Sequence, residues 1–182
     1  MGAEASLTLY RYVGIDAEGT QTFRLKGETA ETRRSLMPNL RGQIPFETST
    51  ITIVPHVGLG YGFIGFKNGW SPSPTLIGGV NNDYSLEGAY AVAGITFGWD
   101  RFSLTGDFLR SISTTGTQQE KLGAITNTYS ISGSKFSRLR IGLNYRFSDN
   151  FYSGVCLTQR SIDLKAMSTT QTQFLGSVGL EF

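Results

Sequence analysis

Histidine occurs once in the chain, as His56, and cysteine occurs once, as Cys156. Nucleophilic catalysis needs a histidine beside a serine or cysteine, with a carboxylate to orient the ring. His56 lies in an alternating segment on the face where glycines recur, and no serine stands two residues from it. One histidine and one cysteine also fall short of a zinc ligand set. We therefore predict that both are interior residues, and we expect no catalytic residue, metal or cofactor.

Charged residues that stand opposite apolar faces form the second chemically informative set. Side chains alternate along a strand, so a charge opposite an apolar run points to the other side of the sheet. If that side is enclosed, the charges must pair, because an unpaired buried charge is costly. We predict an interior charge network built from residues of both signs: Arg24, Glu28, Asp107, Arg138, Arg140, Arg146 and Glu181.

The composition bounds the class of protein. The chain has 182 residues, which suits one domain over residues 1–182. Charged residues make up only 16% and glycine supplies 23 positions, a mixture that favours strands with tight turns over helices. No run of about 18 apolar residues occurs, so any membrane crossing must use strands. A net charge of +2 carried by scattered basic residues argues against a nucleic-acid partner.

Period-two alternation predicts eight strands, near residues 6–14, 20–29, 49–66, 85–99, 102–113, 136–147, 151–160 and 171–182. Residues 16–19 supply turn-forming side chains between the first two strands. Residues 29–48 carry two prolines and no sustained period, and we assign them no strand. Long loops are predicted at 67–85, 114–134 and 160–170, and tight turns at 100–101 and 148–150.

Tight turns on one side and long loops on the other are typical of transmembrane barrels. We predict an all-β fold: a closed, antiparallel, up-and-down transmembrane β-barrel of about eight strands. One alternative is a ten-stranded barrel in which residues 30–48 hold an extra hairpin, and another is a soluble barrel around an apolar cavity. Aromatic residues bracket the tight turns and predict one interfacial girdle: Phe97, Trp99, Phe102, Tyr145, Phe147, Phe151 and Phe182.

Residues 172–182 alternate apolar and polar side chains and end in Phe182. This segment resembles the last strand of Gram-negative outer-membrane β-barrels, in which the final Phe is part of the signal that the assembly machinery reads. Residues 54–62, Val-Pro-His-Val-Gly-Leu-Gly-Tyr-Gly, resemble a strand of the small opacity-protein and outer-membrane-protein-X barrels, with His56 where an aromatic residue is usual. The chain departs from those families by continuing after Tyr145-Arg146-Phe147, which itself looks like a family terminus.

The resemblance implies a non-catalytic protein of the Gram-negative outer membrane that acts through long extracellular loops, in adhesion or in host or envelope interaction. The implied partners are outer-membrane lipid and lipopolysaccharide, the barrel-assembly machinery, and an extracellular partner bound by the loops. A narrow porin and a lipid A-modifying enzyme are the alternatives. The opening Met-Gly-Ala-Glu-Ala-Ser has no apolar segment, so we expect that a start codon replaces a signal peptide.

The assembly signal yields a testable prediction. Phe182→Ser in an exported form of the protein should lower the amount inserted in the outer membrane, because the terminal aromatic residue would be missing from the recognised strand. Quantitative immunoblotting of outer-membrane fractions measures the effect. Equal insertion of the variant and the wild type would contradict it.

Overall fold

The computed structural model of the chain describes residues 2–26, 29–71, 80–122, 124–148, 151–163 and 168–180, with side chains at 11–19, 34–65, 83–121, 124–148, 151–163, 170–174 and 176. Among these residues, no helix is long and apolar enough to cross a membrane. The strands are β1 Gly2–Tyr10, β2 Val13–Lys26, β3 Thr29–Gln43, β4 Phe46–Glu47, β5 Ile51–Ser71, β6 Val80–Trp99, β7 Phe102–Leu122, β8 Ile125–Ser132, β9 Lys135–Ser148, β10 Phe151–Asp163 and β11 Ser168–Leu180.

All the described strands belong to one antiparallel sheet with the order β1-β2-β3-β5-β6-β7-β9-β10-β11. The short β4 follows β3 along the chain and pairs with β5, and β8 precedes β9 and pairs with β7. Neighbours in sequence are therefore neighbours in space, as an up-and-down arrangement requires. The all-β antiparallel prediction is confirmed.

The predicted count of eight strands and the predicted closure are wrong for the described residues. The sheet has eleven strands, and β1 and β11 at its two ends each pair with one neighbour. The path of the sheet passes through an odd number of antiparallel strands, so β1 and β11 run in the same direction. The antiparallel closure that we expected cannot join two strands of the same direction.

The first hairpin differs from the prediction. The turn lies at Arg11 and Tyr12, and the predicted turn at residues 16–19 is part of β2. Asp16 and Glu18 alternate with apolar outward residues such as Ile15 and point to the concave side of the sheet. Asp and Glu are residue types that favour turns, but here they lie within a strand. Arginines from other strands pair with both carboxylates on the inner side of the sheet.

Residues 29–47, which we could not assign, form β3 and β4 rather than a loop or a hairpin. We did not predict this strand because it contains Pro38, and proline lacks the N–H that a residue in a central strand donates to its neighbour. The pairing of β3 with β5 is interrupted at this point, between Leu36↔Phe63 and Asn39↔Gly60. The carbonyl of Pro38 instead accepts a hydrogen bond of 2.8 Å from the Tyr90 hydroxyl.

The predicted long loops are largely strand. β7 and β8 fill residues 102–122 and 125–132, β5 continues to Ser71, and β6 begins at Val80. The parts of the predicted loops at 72–79 and 164–167 lie outside the described residues. Polar Thr, Gln and Ser residues extend these strands without the apolar alternation that we used to recognise strands, which explains the error.

Large apolar side chains are exposed on the convex side of the sheet, mostly toward the end with the Asp100–Arg101 turn, which we call the turn end. On β7 they run from Phe102 to Ile112, about the length that crosses a bilayer. β7 itself has 21 residues, and β5 and β6 have 21 and 20. We call this band of exposed apolar side chains, which spans residues 102–112 on β7, the apolar belt. The three strands continue past the belt toward the opposite end of the sheet, which we call the loop end.

Aromatic rings form a continuous row at the turn end. Trp99 stacks on Phe102 with centroids 6.0 Å apart, and Phe102 lies 4.9 Å from Tyr145. Tyr145 contacts Phe147 at 4.9 Å, and Phe147 contacts Phe151 at 5.7 Å. Five of the predicted girdle residues thus form a row of contacting rings, and their position at a membrane interface stays a prediction. Phe97 is exposed two residues before Trp99, and Phe182 lies outside the described part of the chain.

Tyr90 is fully buried on the concave side and lies over the glycines of β5. A Cβ added at Gly60 would stand 2.2 Å from the Pro38 carbonyl oxygen and 2.5 Å from the Tyr90 ring. The absence of a side chain at Gly60 therefore leaves space for the Tyr90 ring and for the Pro38 carbonyl. Small residues on the inward face of β5 were predicted, and this packing is their use.

Gly60→Ala should destabilise the protein by about 1–3 kcal/mol, because the new methyl group overlaps backbone and ring atoms. Gly106→Ala is the matched control, since a Cβ at Gly106 meets nothing within 4 Å. Urea unfolding of the refolded protein, followed by tryptophan fluorescence, measures both. Equal midpoints for the two variants would show that Tyr90 does not need Gly60.

Candidate functional site: the interior charge network

Arg138 is the centre of an ion network on the concave side. It lies on β9 with a side chain that is 8% exposed, and it reaches carboxylates on two other strands. Its Nη2 lies 2.6 Å from Asp107 Oδ1, and its Nη1 pairs with Glu18 Oε2. Asp107 also receives Arg140 Nε at 3.7 Å. One guanidinium thus joins β2, β7 and β9.

Glu18 extends the network to β10. Its second carboxylate oxygen pairs with Arg160, whose Nη1 donates a hydrogen bond of 3.2 Å to Ser35 on β3. A separate pair joins Arg41 Nε to Asp16 Oδ2 at 3.4 Å. Because β2 and β3 lie near one end of the sheet path and β10 near the other, these contacts show that the sheet curls around its interior.

An apolar layer fills the interior beside the network. Tyr90 and Phe136 meet edge to face, with centroids 6.2 Å apart. Near Ser35, Phe136 and Arg160 a cavity of about 20 Å³ remains, the room of a single water. The buried apolar residues are Met37, Ile64, Leu86, Tyr90, Val92, Leu109, Phe136 and Ile162.

The structure brings three of the predicted network residues together: Asp107, Arg138 and Arg140. Arg146 lies on the same strand but is exposed near the turn end, where its backbone N–H donates to the Arg101 carbonyl. The predicted burial of Arg146 is therefore wrong: β9 continues to Ser148, but its last three residues, 146–148, are all exposed. Outside the described residues lie the remaining three predicted members: the Arg24 side chain, Glu28 and Glu181.

Sequence reasoning missed Glu18 and Arg160, which the network depends on. Glu18 was assigned to a turn, and Arg160 to the start of a loop. Period-two alternation could have identified both residues. Glu18 lies two and four residues after the inward positions Asp16 and Gly14, and Arg160 lies two residues after the inward Thr158. Asp16 was missed for the same reason as Glu18.

His56 is buried on the concave side, as predicted, toward the turn end of β5. A Cβ at Gly94 would lie 2.5 Å from His56 Nε2 and 2.8 Å from Asp107 Cβ, so the ring and the carboxylate flank this glycine. Cys156 is a free thiol with Sγ 3.4 Å from Thr158 Oγ1. The described residues contain no group of three or more His, Cys, Asp or Glu that could hold a metal ion.

A sheet beyond the apolar belt is the second region of interest. We call it the extension: residues 80–89 of β6, 113–122 of β7 and 125–132 of β8. It is set off by a register shift at Tyr90 and by a break at residues 133–134, where Gly133 has φ 73°. Lys121 pairs with Asp83 at 3.3 Å within it, and Gln118 bonds Glu120 at 2.9 Å.

Comparison with known proteins gives a fold rather than a family. No protein-family model matches the chain, and no curated protein matches its sequence. Among solved structures, the chain is similar to the outer membrane protease OmpT from Escherichia coli, with a TM-score of 0.69 and 12% identity over 97% of this chain and 80% of that one. The fold of the chain is therefore similar to that of an outer-membrane β-barrel, although its end strands β1 and β11 do not pair with each other in the described part of the chain. The resemblance to opacity-protein and outer-membrane-protein-X barrels finds no sequence match.

The network predicts an asymmetry between two arginines on one strand. Arg138→Gln should destabilise the barrel by on the order of 3 kcal/mol, because Asp107 and Glu18 both lose a buried cation. Arg146→Gln, at the exposed end of the same strand, should change stability by less than about 0.5 kcal/mol. Urea unfolding in detergent measures both. Similar losses for the two variants would mean that the buried pairs are not the stabilising ones.

Proposed function

We propose that this protein is a non-catalytic, non-conducting barrel of the Gram-negative outer membrane whose extension binds partners outside the cell. The length of the strands is the observation that carries the proposal. A transmembrane strand needs about 9–11 residues, whereas β5, β6 and β7 have 21, 20 and 21. Roughly half of each strand is therefore free to stand in water. The parts of the strands outside the bilayer are longer than a connection between neighbouring strands requires.

The filled interior supports the absence of conductance. Arg138, Glu18 and Asp107 join opposite parts of the curled sheet, and the apolar layer around Phe136 lies next to them. A permeant ion would have to break buried pairs, which are costly to separate. The narrow porin remains the alternative, and steady conductance in planar bilayers would favour it.

Two outward arginines support lipopolysaccharide as a lipid partner. Arg110 is exposed on β7 near the end of the apolar belt, and Arg34 is exposed on β3 beside Leu36. Arginine at the edge of an apolar belt reaches the headgroup layer with its long side chain. Guanidinium groups form strong, bidentate hydrogen bonds with phosphates. Both positions therefore suit the phosphates of lipopolysaccharide.

An enzyme is the second candidate, favoured by the fold likeness to a protease. His56 and Asp107, whose side chains both lie against Gly94 toward the turn end, are the candidate catalytic residues. Hydrolysis of a peptide library or of lipid A by reconstituted protein, lost in His56→Ala, would establish this candidate. It would also replace the non-catalytic proposal.

Removal of the extension tests the binding proposal. A variant in which residues 115–132 are replaced by an Asn-Gly turn should insert normally but lose adhesion to cultured epithelial cells and to matrix-coated surfaces, because the exposed binding sheet is gone. The control replaces the Asp100–Arg101 turn by Asn-Gly, since Asp100 already has φ 49° and this turn type suits such residues.

Whole cells that carry equal amounts of wild type, shortened variant and turn variant give the comparison. Adhesion that falls only in the shortened variant supports the proposal. Unchanged adhesion in a shortened variant that inserts normally contradicts it.

A further inference from the structure

β8 lies above the apolar belt, and one of its two backbone edges pairs with no strand that the structure describes. It pairs with β7 from Thr115↔Ser132 to Leu122↔Ile125, and within the described part of the chain it pairs with no other strand. The strand that flanks β9 on the other side, β10, ends at Asp163, opposite Lys135. β8 therefore lies beyond the last pair between β9 and β10 that the structure describes. Seven of its eight residues are exposed.

The free edge of β8 carries none of the features that block pairing. Proteins protect exposed edges with lysine or other charges, proline or bulges. β8 reads Ile-Thr-Asn-Thr-Tyr-Ser-Ile-Ser and contains no charged residue and no proline. Threonine, isoleucine and tyrosine are residues that favour strands. An unpaired edge of this composition is a template for a further strand.

We propose that the free edge of β8 binds an extended segment of a partner protein by β-strand addition. The inference rests on the proposed function and names the recognition mode of the same extension. Backbone N–H and C=O groups would supply the affinity, and alternating side chains the selectivity. The partner segment would be extended and uncharged at its centre, because β8 exposes threonine, serine, isoleucine and tyrosine but no charged side chain.

A second copy in the same membrane is a poor occupant. Two barrels in one bilayer are related by an axis along the membrane normal, and barrel strands tilt by about 35–45° from that normal. The two β8 strands would then cross at roughly 70–90°, whereas neighbouring strands in a sheet differ by about 20–25°. A segment of a separate polypeptide has no such constraint. The geometry thus favours a partner in solution or on another surface.

A capped peptide with the sequence of residues 115–122 is the probe, because β8 already pairs with this sequence at its other edge. The fluorescein-labelled peptide should bind saturably to refolded full-length protein in detergent. A strand added at one edge uses only every second N–H of the peptide. N-methylation at the positions of Thr117, Gln119 and Lys121, or at those of Gly116, Gln118 and Glu120, should therefore abolish binding in one set and leave it within about threefold in the other.

A disulfide test places the peptide on the protein. In a Cys156→Ser background, Thr128→Cys should cross-link to a peptide with one central cysteine. The control is Gln119→Cys, which occupies the same row on β7, where Asp83 and Thr128 already pair on both sides. A strand added beyond β8 lies too far from this position for a disulfide.

Binding that depends on the methylation set, with cross-linking at Thr128→Cys alone, supports the inference. Three results overturn it: no saturable binding, equal sensitivity to both methylation sets, or equal cross-linking at Gln119→Cys. If any of these results is found and adhesion is nevertheless lost in the shortened variant, strand addition is contradicted and the proposed binding function is still supported. Adhesion that survives in the shortened variant would remove the proposed function itself.

Discussion

The ion pair between Arg138 on β9 and Glu18 on β2 holds together strands that are far apart along the sheet, and Asp107 on the neighbouring β7 pairs with the same guanidinium. Glu18 and Asp107 are separated from Arg138 by 120 and 31 residues, yet all three side chains meet on the concave side. Such a network is poor as a source of net stability, because desolvation offsets much of the Coulomb attraction. Its effect is on specificity. The curled arrangement brings Glu18 on β2 to Arg138 and Arg160, whereas a flat sheet of the same strands would separate Glu18 from both arginines.

Alternation along single strands was enough to predict the convex face, the aromatic row and the inward direction of His56, Asp107, Arg138 and Arg140. Prediction from alternation failed where the turn preference of a residue type competes with long-range ion pairing. Asp16 and Glu18 belong to residue types that favour turns, but the arginines that pair with them come from β3, β9 and β10, and no local pattern contains that information. Long-range pairing decided the local structure.

The strand count failed for a different physical reason. Pro38 removes one ladder donor, and the local break is compensated by the Tyr90 hydroxyl, which comes from β6. The strand in the extension was missed because water on both sides removes the apolar alternation: Ile125 and Tyr129 are exposed on β8 with no buried face opposite. Both the belt and the extension form paired strands, but only the belt alternates apolar and polar residues, as a strand with lipid on one side would.

In the outer-membrane location that we propose, the row of rings from Trp99 to Phe151 would fix the depth of the protein in the bilayer, since interfacial aromatic residues hold their level at the headgroups. β7 runs from Ile112 at the edge of the belt to Leu122, which at about 3.3 Å per residue and a tilt near 40° is roughly 25 Å of height. The Debye length at physiological salt is about 8 Å. At that height the tip of the extension would be screened from the charged headgroup layer, so a ligand would bind there with the same affinity whatever the charge of the membrane.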